Sequence, residues 1–340
     1  MDNLGQELYT GKNILITGGT GTIGRQLVQR LLQENPRVIR VFSRDEHKQF
    51  EMGIDFQEHS SKLRFLIGDV RDLQRLGRAM EDVNYVFHCA AMKHVPACEY
   101  NPFEAVQTNV IGTQNVIQAA MEKKVKKVLF VSTDKAISPT NTYGATKLTA
   151  ERLISATEHH KGAKSTIFSS VRFGNVMSSR GSVIPLFQKQ ILENRRITLT
   201  DPTMLRYMMT PSQAINLILK ANDLALGGEV FVLKMPLINV GELAEVVIEN
   251  TKEKYGIQDE VLVEVIGLRS GEKRFEELMT DDEAATAYES EDMYIIPQDS
   301  KSDHYYKENY NKVFEKPYPD RNKTIQKQEL SEWFLKEKMI

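Results

Sequence analysis

The chain has 340 residues, enough for one large or two ordinary domains, and its 41% hydrophobic and 26% charged residues are ordinary for a globular protein. A formal net charge of -2 lacks the basic excess of a nucleic-acid footprint, no stretch reaches the roughly 18 apolar residues of a membrane span, and the start MDNLGQELYTGKN is neither basic nor apolar enough for a signal peptide. A soluble cytoplasmic protein is expected, with Cys89 and Cys98 as reduced, buried or half-buried thiols outside any metal-ligand spacing.

In chain order, Lys12 to Thr17 reads as a short strand that runs into Gly18-Gly19-Thr20-Gly21-Thr22-Ile23-Gly24. Leu27, Val28, Leu31 and Leu32 follow at helical period. A strand, a glycine turn that admits a pyrophosphate and a helix N-terminus with free N–H groups form an anion cradle. Thr17, Gly18, Thr20, Gly21, Thr22, Ile23 and Gly24 are therefore the candidate dinucleotide contacts.

A second strand, Val38 to Phe42, ends in Ser43-Arg44-Asp45-Glu46. An acid here holds a ribose 2′-hydroxyl, whereas an arginine accommodates a 2′-phosphate. Arg44 comes first, flanked by Ser43 and near Lys48, which favours NADP and leaves NAD as the alternative. A third strand, Leu63 to Ile67, ends in Gly68-Asp69-Val70-Arg71, where Asp69 either accepts from an adenine amino group or caps the helix near Leu73. A fourth, Tyr85 to Cys89, ends in Ala90-Ala91, small enough for a close cofactor or for tight packing.

Met92-Lys93-His94-Val95-Pro96 reads as a loop, and a long helix from Pro102 or Phe103 to about Lys123 holds Asn109, whose side chain is better suited to backbone or water than to a helix interior. Lys123, Lys124, Lys126 and Lys127 read as a solvated helix end. The apolar run Val128 to Val131 is a buried strand ending in Ser132-Thr133-Asp134-Lys135, and a helix then carries Tyr143 and Lys147. Four residues apart, these two share a face, and an ammonium there is expected to pull the phenol down from its reference pKa of about 10. Such a pair can take a proton from a sugar hydroxyl while hydride leaves the same carbon.

A sixth strand, Thr166 to Arg172, leads to Phe173-Gly174-Asn175-Val176. The alternation predicts an α/β chain: a Rossmann-like doubly wound parallel sheet with a second, smaller α/β substrate lobe. Residues 1–176 are assigned to the dinucleotide-binding domain with 206–240 returning to it, and 177–205 and 241–340 to the substrate lobe and tail. No repeat or low-complexity linker appears, so an interface between the lobes is expected in place of a tether. In the tail a final amphipathic helix puts Leu330, Trp333 and Phe334 on one face, docking either on its own subunit or on a neighbour.

Gly18 to Gly24, Asp69, Ala90-Ala91, Ser132-Thr133 and Tyr143-x-x-x-Lys147 in this order resemble the extended short-chain dehydrogenase/reductase family. With Ser43 to Glu46, Ala90 to Val95, Ser132 to Ala136, Arg172 to Val176, Ser179 to Val183 and Gly271 to Lys273, the chain is most similar to the inverting UDP-N-acetylglucosamine 4,6-dehydratases of flagellar glycan and capsule pathways. The resemblance runs from residue 12 to about 300. It implies that Tyr143, with Lys147 and Thr133, deprotonates the sugar 4-hydroxyl while bound NADP⁺ takes hydride. Lys135 then removes the carbon-5 proton and Asp134 protonates the departing 6-hydroxyl. Asn109 and Lys93 join the cofactor residues, Lys93 also facing substrate. Arg180, Arg206 and Arg269 become candidates for the diphosphate of the UDP-sugar, Glu272 for the uridine ribose and Asn175 for a contact near the phosphate. A homo-oligomer, dimer or hexamer, is implied as well.

A UDP-sugar 4-epimerase shares the cofactor, Tyr143 and Lys147 but needs no acid for the 6-hydroxyl. A non-enzymatic NADP sensor on the same fold generally lacks the Tyr-Lys pair. Asp134-Lys135 favours dehydration over both.

Overall fold

The computed structural model describes residues 8–177, 179, 181–268, 271–298, 300–320 and 323–337. Its first six strands are β1 (Asn13–Thr17), β2 (Val38–Ser43), β3 (Leu63–Ile67), β4 (Tyr85–His88), β5 (Lys127–Val131) and β6 (Ile167–Arg172). They lie in the order β3-β2-β1-β4-β5-β6, all parallel, and Val230–Leu233 adds a seventh parallel strand beside β6. Every residue of β1 and β4 is buried, as strands covered on both faces must be. The chain reverses direction across the sheet between β1 and β4, and in such sheets the crevice beyond the strand carboxyl ends at that point receives ligands.

Helices α1 (Thr22–Leu32), α2 (Glu46–Asp55) and α3 (Leu73–Ala79) link the first four strands. After β4 come α4 (Val95–Tyr100), α5 (Pro102–Val106) and α6 (Gly112–Glu122), then α7 (Thr142–His160) after β5. The long helix expected from Pro102 to Lys123 is interrupted: Gln107–Ile111 form a π turn, and a separate short helix, α4, occupies part of the expected loop. The turn widens the backbone around Asn109, which is where a side chain that competes for backbone groups disrupts a regular helix. Leu15, Phe42, Leu76, Val86, Val116, Val128, Phe130, Ile154 and Phe168 build the core that these elements share.

The chain divides into two compact units, one of residues 1–172, 215–233 and 279–316, the other of 173–214, 234–278 and 317–340. This redraws the boundaries expected from the sequence. Residues 279–316 belong to the large unit, because Met293–Ile296 pairs antiparallel with Val230–Leu233, and Tyr288–Glu289 and Asn311–Lys312 extend the same sheet. Residues 173–176, 206–214 and 234–240 belong to the smaller unit, where Leu205–Met209 pairs with Asn175–Val176 on one side and Leu237–Asn239 on the other.

In the smaller unit, helices Val183–Asn194, Val240–Tyr255 and Lys327–Lys336 enclose Phe187, Ile191, Val247, Leu330 and Phe334. The final helix thus docks on its own chain, with Leu330 and Phe334 buried and Trp333 packed at the margin. Among the described residues no helix is long and apolar enough to cross a membrane, and no group of histidine, cysteine or acidic side chains is arranged to hold a metal.

Candidate active site

The glycine stretch is built for close approach. Gly18 has φ +65°, and a Cβ there would lie 2.8 Å from backbone atoms of Ala90; one on Gly24 would lie 2.5 Å from the Gly18 carbonyl and the Gly19 Cα. Gly21 precedes α1 with no side-chain cap, and no acid stands in the first turn that begins with Thr22 and Ile23. The N–H groups of that turn are left for an anion. Thr17 and Thr20 are buried beside it.

At the end of β2, Ser43 is buried and accepts from Gln49 Nε2 at 3.0 Å. Arg44 is largely exposed, its guanidinium 3.7 Å from Asp69. Lys48 is paired with Asp45, which also caps α2. The cap of α3 is Asp72, not Asp69. Asp69 accepts from the Arg71 backbone at 2.9 Å and from its guanidinium at 2.8 Å. Burial opposes its ionisation, but the hydrogen bonds and charge of Arg71 prevail and hold the carboxyl below its usual range. Val70 is buried against Gly112.

A buried polar chain ties the β1 and β4 ends to the π turn. Thr113 donates to the Asn109 carbonyl at 2.6 Å, so its oxygen accepts from His88 Nε2 at 3.0 Å, which leaves His88 Nδ1 to accept from Thr17 at 2.7 Å. Burial, with the Lys147 charge, pushes His88 down to about 3, consistent with that neutral tautomer. Asn109 brackets Met92, accepting its N–H at 2.8 Å and donating to its carbonyl at 3.0 Å, and also donates to Thr146 on α7 at 3.0 Å. It thereby fixes the loop that holds Ala90, Ala91 and Lys93, a structural task where a cofactor contact was expected from the resemblance.

The β5 end supplies the candidate catalytic cluster. Thr133 donates to Asp134 Oδ1 at 3.0 Å, and Lys135 Nζ reaches the same oxygen at 3.1 Å, with the Asp134 side chain fully buried. Tyr143 is hydrogen-bonded to the Thr133 side chain. Asn141 caps α7 by accepting from Gly144 N at 2.9 Å. A Cβ at Gly144 would lie 2.2 Å from the Lys135 carbonyl, so α7 packs onto the Asp134–Ala136 turn only because this residue is glycine. No sequence motif marks Gly144, although a glycine just after the helix start costs about 1 kcal/mol against alanine and so asks for a reason.

Lys147 is buried, donates to the Val131 carbonyl at 2.5 Å and lies 3.9 Å from the Phe130 ring centroid. Burial pulls its amine down to about 7, against the opposing influence of Cys89 and Glu151. The expectation for the tyrosine is corrected. Burial raises the Tyr143 phenol, and what opposes it is the Thr133 hydrogen bond and the Lys135 charge, not Lys147. The lysine ammonium is engaged by a carbonyl and an aromatic face, so i, i+4 spacing alone does not bring it to bear on the phenol.

In the smaller unit Arg206 donates to the backbone of Lys273 at 2.8 Å and of Arg274 at 3.1 Å, and lies 3.6 Å from Glu272 and 3.7 Å from Glu276. Asn175 donates to Glu276 at 3.1 Å. Glu276 is buried at the centre of this cluster and was not singled out from the sequence. Arg180 and Arg269 lie outside the described residues.

Residues 14–298 match the family model described as polysaccharide biosynthesis protein. The chain is 44% identical, over 85% of its length and 84% of the relative's, to a UDP-N-acetylglucosamine 4,6-dehydratase (inverting) of Campylobacter jejuni. It is 41% identical, over 88% of its length and 87% of the relative's, to a UDP-glucose 4-epimerase of Rickettsia rickettsii. The X-ray structure of Pen from Bacillus thuringiensis superposes with a TM-score of 0.91 at 52% identity, covering 98% of this chain and 99% of that one. With the glycine cradle, the Thr133-Asp134-Lys135 cluster and Tyr143 and Lys147 in place, the chain belongs to the polysaccharide biosynthesis protein family, within the extended short-chain dehydrogenases/reductases.

Proposed function

We propose that the protein is an inverting UDP-N-acetylglucosamine 4,6-dehydratase that uses NADP in the biosynthesis of a surface glycan. The observation that carries this reading is the Lys135–Asp134 pair, 3.1 Å apart with the carboxyl fully buried, joined through Thr133 to Tyr143. The dinucleotide fits the residues present: a Cβ would fill the cradle at Gly18 and Gly24, the α1 N-terminus is uncapped, and Arg44 extends beside Asp69. When bound, the nicotinamide supplies a hydride acceptor for carbon 4 and a donor for carbon 6.

The protein's own task is proton handling. Tyr143, ionised by loss of its phenol proton to solvent before it reacts, takes the proton of the 4-hydroxyl as phenolate, and the resulting ketone acidifies the proton at carbon 5. Adjacent Asp and Lys are ordinarily both charged. Passing one proton from Lys135 Nζ to Asp134 Oδ1 leaves net charge unchanged and removes two charges from a dry site. The neutral amine then takes the carbon-5 proton, and the carboxylic acid gives its proton to the 6-hydroxyl as water leaves. Asn175, Arg206 and Glu272 are assigned to the nucleotide, Arg206 by exchanging its present carboxylate neighbours for diphosphate oxygens.

Incubation with UDP-N-acetylglucosamine and NADP⁺ tests the proposal: product lighter by the mass of one water supports it. A product of unchanged mass and altered configuration would establish the second reading, a 4-epimerase, which the 41% identity to a UDP-glucose 4-epimerase favours.

A further inference from the structure

Beneath Lys147 lies a charged cluster that the proposed chemistry does not use. Arg172, at the end of β6, is completely buried and grips two carboxylates. Its Nη2 lies 2.5 Å from Glu151 Oε1, and its Nη1 and Nη2 lie 3.0 Å from the two oxygens of Glu283. Glu151 stands on α7 one turn after Lys147 and two turns after Tyr143, and is itself buried. Glu283 closes a capping box with Thr280 at the start of helix Asp281–Thr286, within the 279–316 segment that completes the large sheet.

Two carboxylates against one guanidinium leave a surplus negative charge in the interior. Arg152 approaches Glu283 only to 3.6 Å, and its side chain is more than half exposed, so solvent weakens what it can neutralise. The buried cation one helical turn away is Lys147, and among the described residues no carboxylate lies within ion-pair distance of it. Around its amine stand His88 from β4 and Cys89 just after it, Phe130 and the Val131 carbonyl from β5, and Glu151 on its own helix. His88 is neutral and burial holds the Cys89 thiol protonated, its value raised to about 12. Glu151 is therefore the anion that faces the lysine.

We propose that Arg172, Glu151 and Glu283 act as a positioning unit for the active site: the arginine locks α7 to the returning 279–316 segment, and the surplus carboxylate charge, presented through Glu151, sustains the ammonium of Lys147. Arg172 and Glu283 thus act on the reaction only through Lys147. The purpose of that ammonium rests on the dehydratase reading, but the charge itself does not.

The test reads the lysine directly. In protein labelled with ¹³Cε-lysine, the Lys147 resonance is assigned by its loss in Lys147→Met and followed against pH by NMR in the ligand-free chain. Glu283→Gln keeps the capping-box hydrogen bonds and removes the surplus charge. The Lys147 midpoint should fall by about half a pH unit or more in Glu283→Gln and further in Glu151→Gln, with Glu283→Asp restoring it. Should Glu151→Gln not fold, Glu283→Gln alone decides. An unchanged midpoint in folded Glu283→Gln would overturn the proposal. A shifted midpoint in a protein that never dehydrates UDP-N-acetylglucosamine would leave the charge unit standing and remove the dehydratase.

Discussion

Lys147 Nζ donates a hydrogen bond to the carbonyl of Val131 at 2.5 Å, which ties the middle of α7 to the last residue of β5. The bond fixes a buried amine whose protonation costs stability.

That cost has a definite pH signature. The folded pKa of about 7 lies below the reference value of 10.5, so between these limits the unfolded chain binds more protons and stability rises with pH. Below the folded value the full penalty is present; toward the reference value it is relieved. Between pH 7 and 9, ligand-free wild type should gain on the order of 2 kcal/mol relative to Lys147→Met. Urea denaturation of both proteins at each pH measures the difference, and parallel curves would contradict the assignment.

Asp134→Asn and Lys135→Ala should each cut water loss by at least about 100-fold, since each removes one partner of a general acid–base pair. Cofactor affinity, which the proposal places at the glycine cradle and the β2 end, should barely change. Product mass and quenching of intrinsic fluorescence by NADP⁺ report the two properties separately, and full dehydration by either variant would refute the acid and base roles of this pair.

Arg44→Ala should lose its discrimination between NADP⁺ and NAD⁺. The guanidinium is largely exposed and lies 3.7 Å from Asp69, leaving it able to meet a 2′-phosphate. Titration of both dinucleotides against wild type and variant decides, and an unchanged ratio would remove Arg44 from cofactor selection.

Gly24→Ala should abolish dinucleotide binding. The added methyl would meet backbone of Gly18 and Gly19 at 2.5 Å, and backbone cannot give way as a flexible side chain does. Isothermal titration with NADP⁺ checks this, and circular dichroism shows whether the fold has survived.

Asn109→Ala should lower stability by about 1–3 kcal/mol, because both polar groups of Met92 and the Thr146 hydroxyl lose a buried partner. Thermal unfolding with and without NADP⁺ measures it, and the loss should be larger in the presence of cofactor.

The parallel sheet was legible because its strands are apolar runs ending in glycine, alanine or polar residues, and the helices between them keep a clear period. Tyr143, Lys147 and Asp134-Lys135 were singled out as candidates by their order along the chain. What spacing could not supply was direction. Lys147 turns to a carbonyl and a ring, Asn109 turns back to Met92, and Lys48 is held by Asp45. Residues 279–316 were misplaced because Tyr288–Glu289 and Asn311–Lys312 are two-residue strands, too short to show a period of two. Glu276 and Gly144 matter through neighbours distant in sequence or atoms of the backbone, which no local pattern records.

The last helix, Lys327–Lys336, has a consequence for synthesis. Phe334 seals one core and Asn311–Lys312 borders the other unit's sheet, so on the ribosome neither unit can finish until these late segments have been translated. A stalled or clipped nascent chain would carry two open apolar surfaces at once, an obvious client for chaperones.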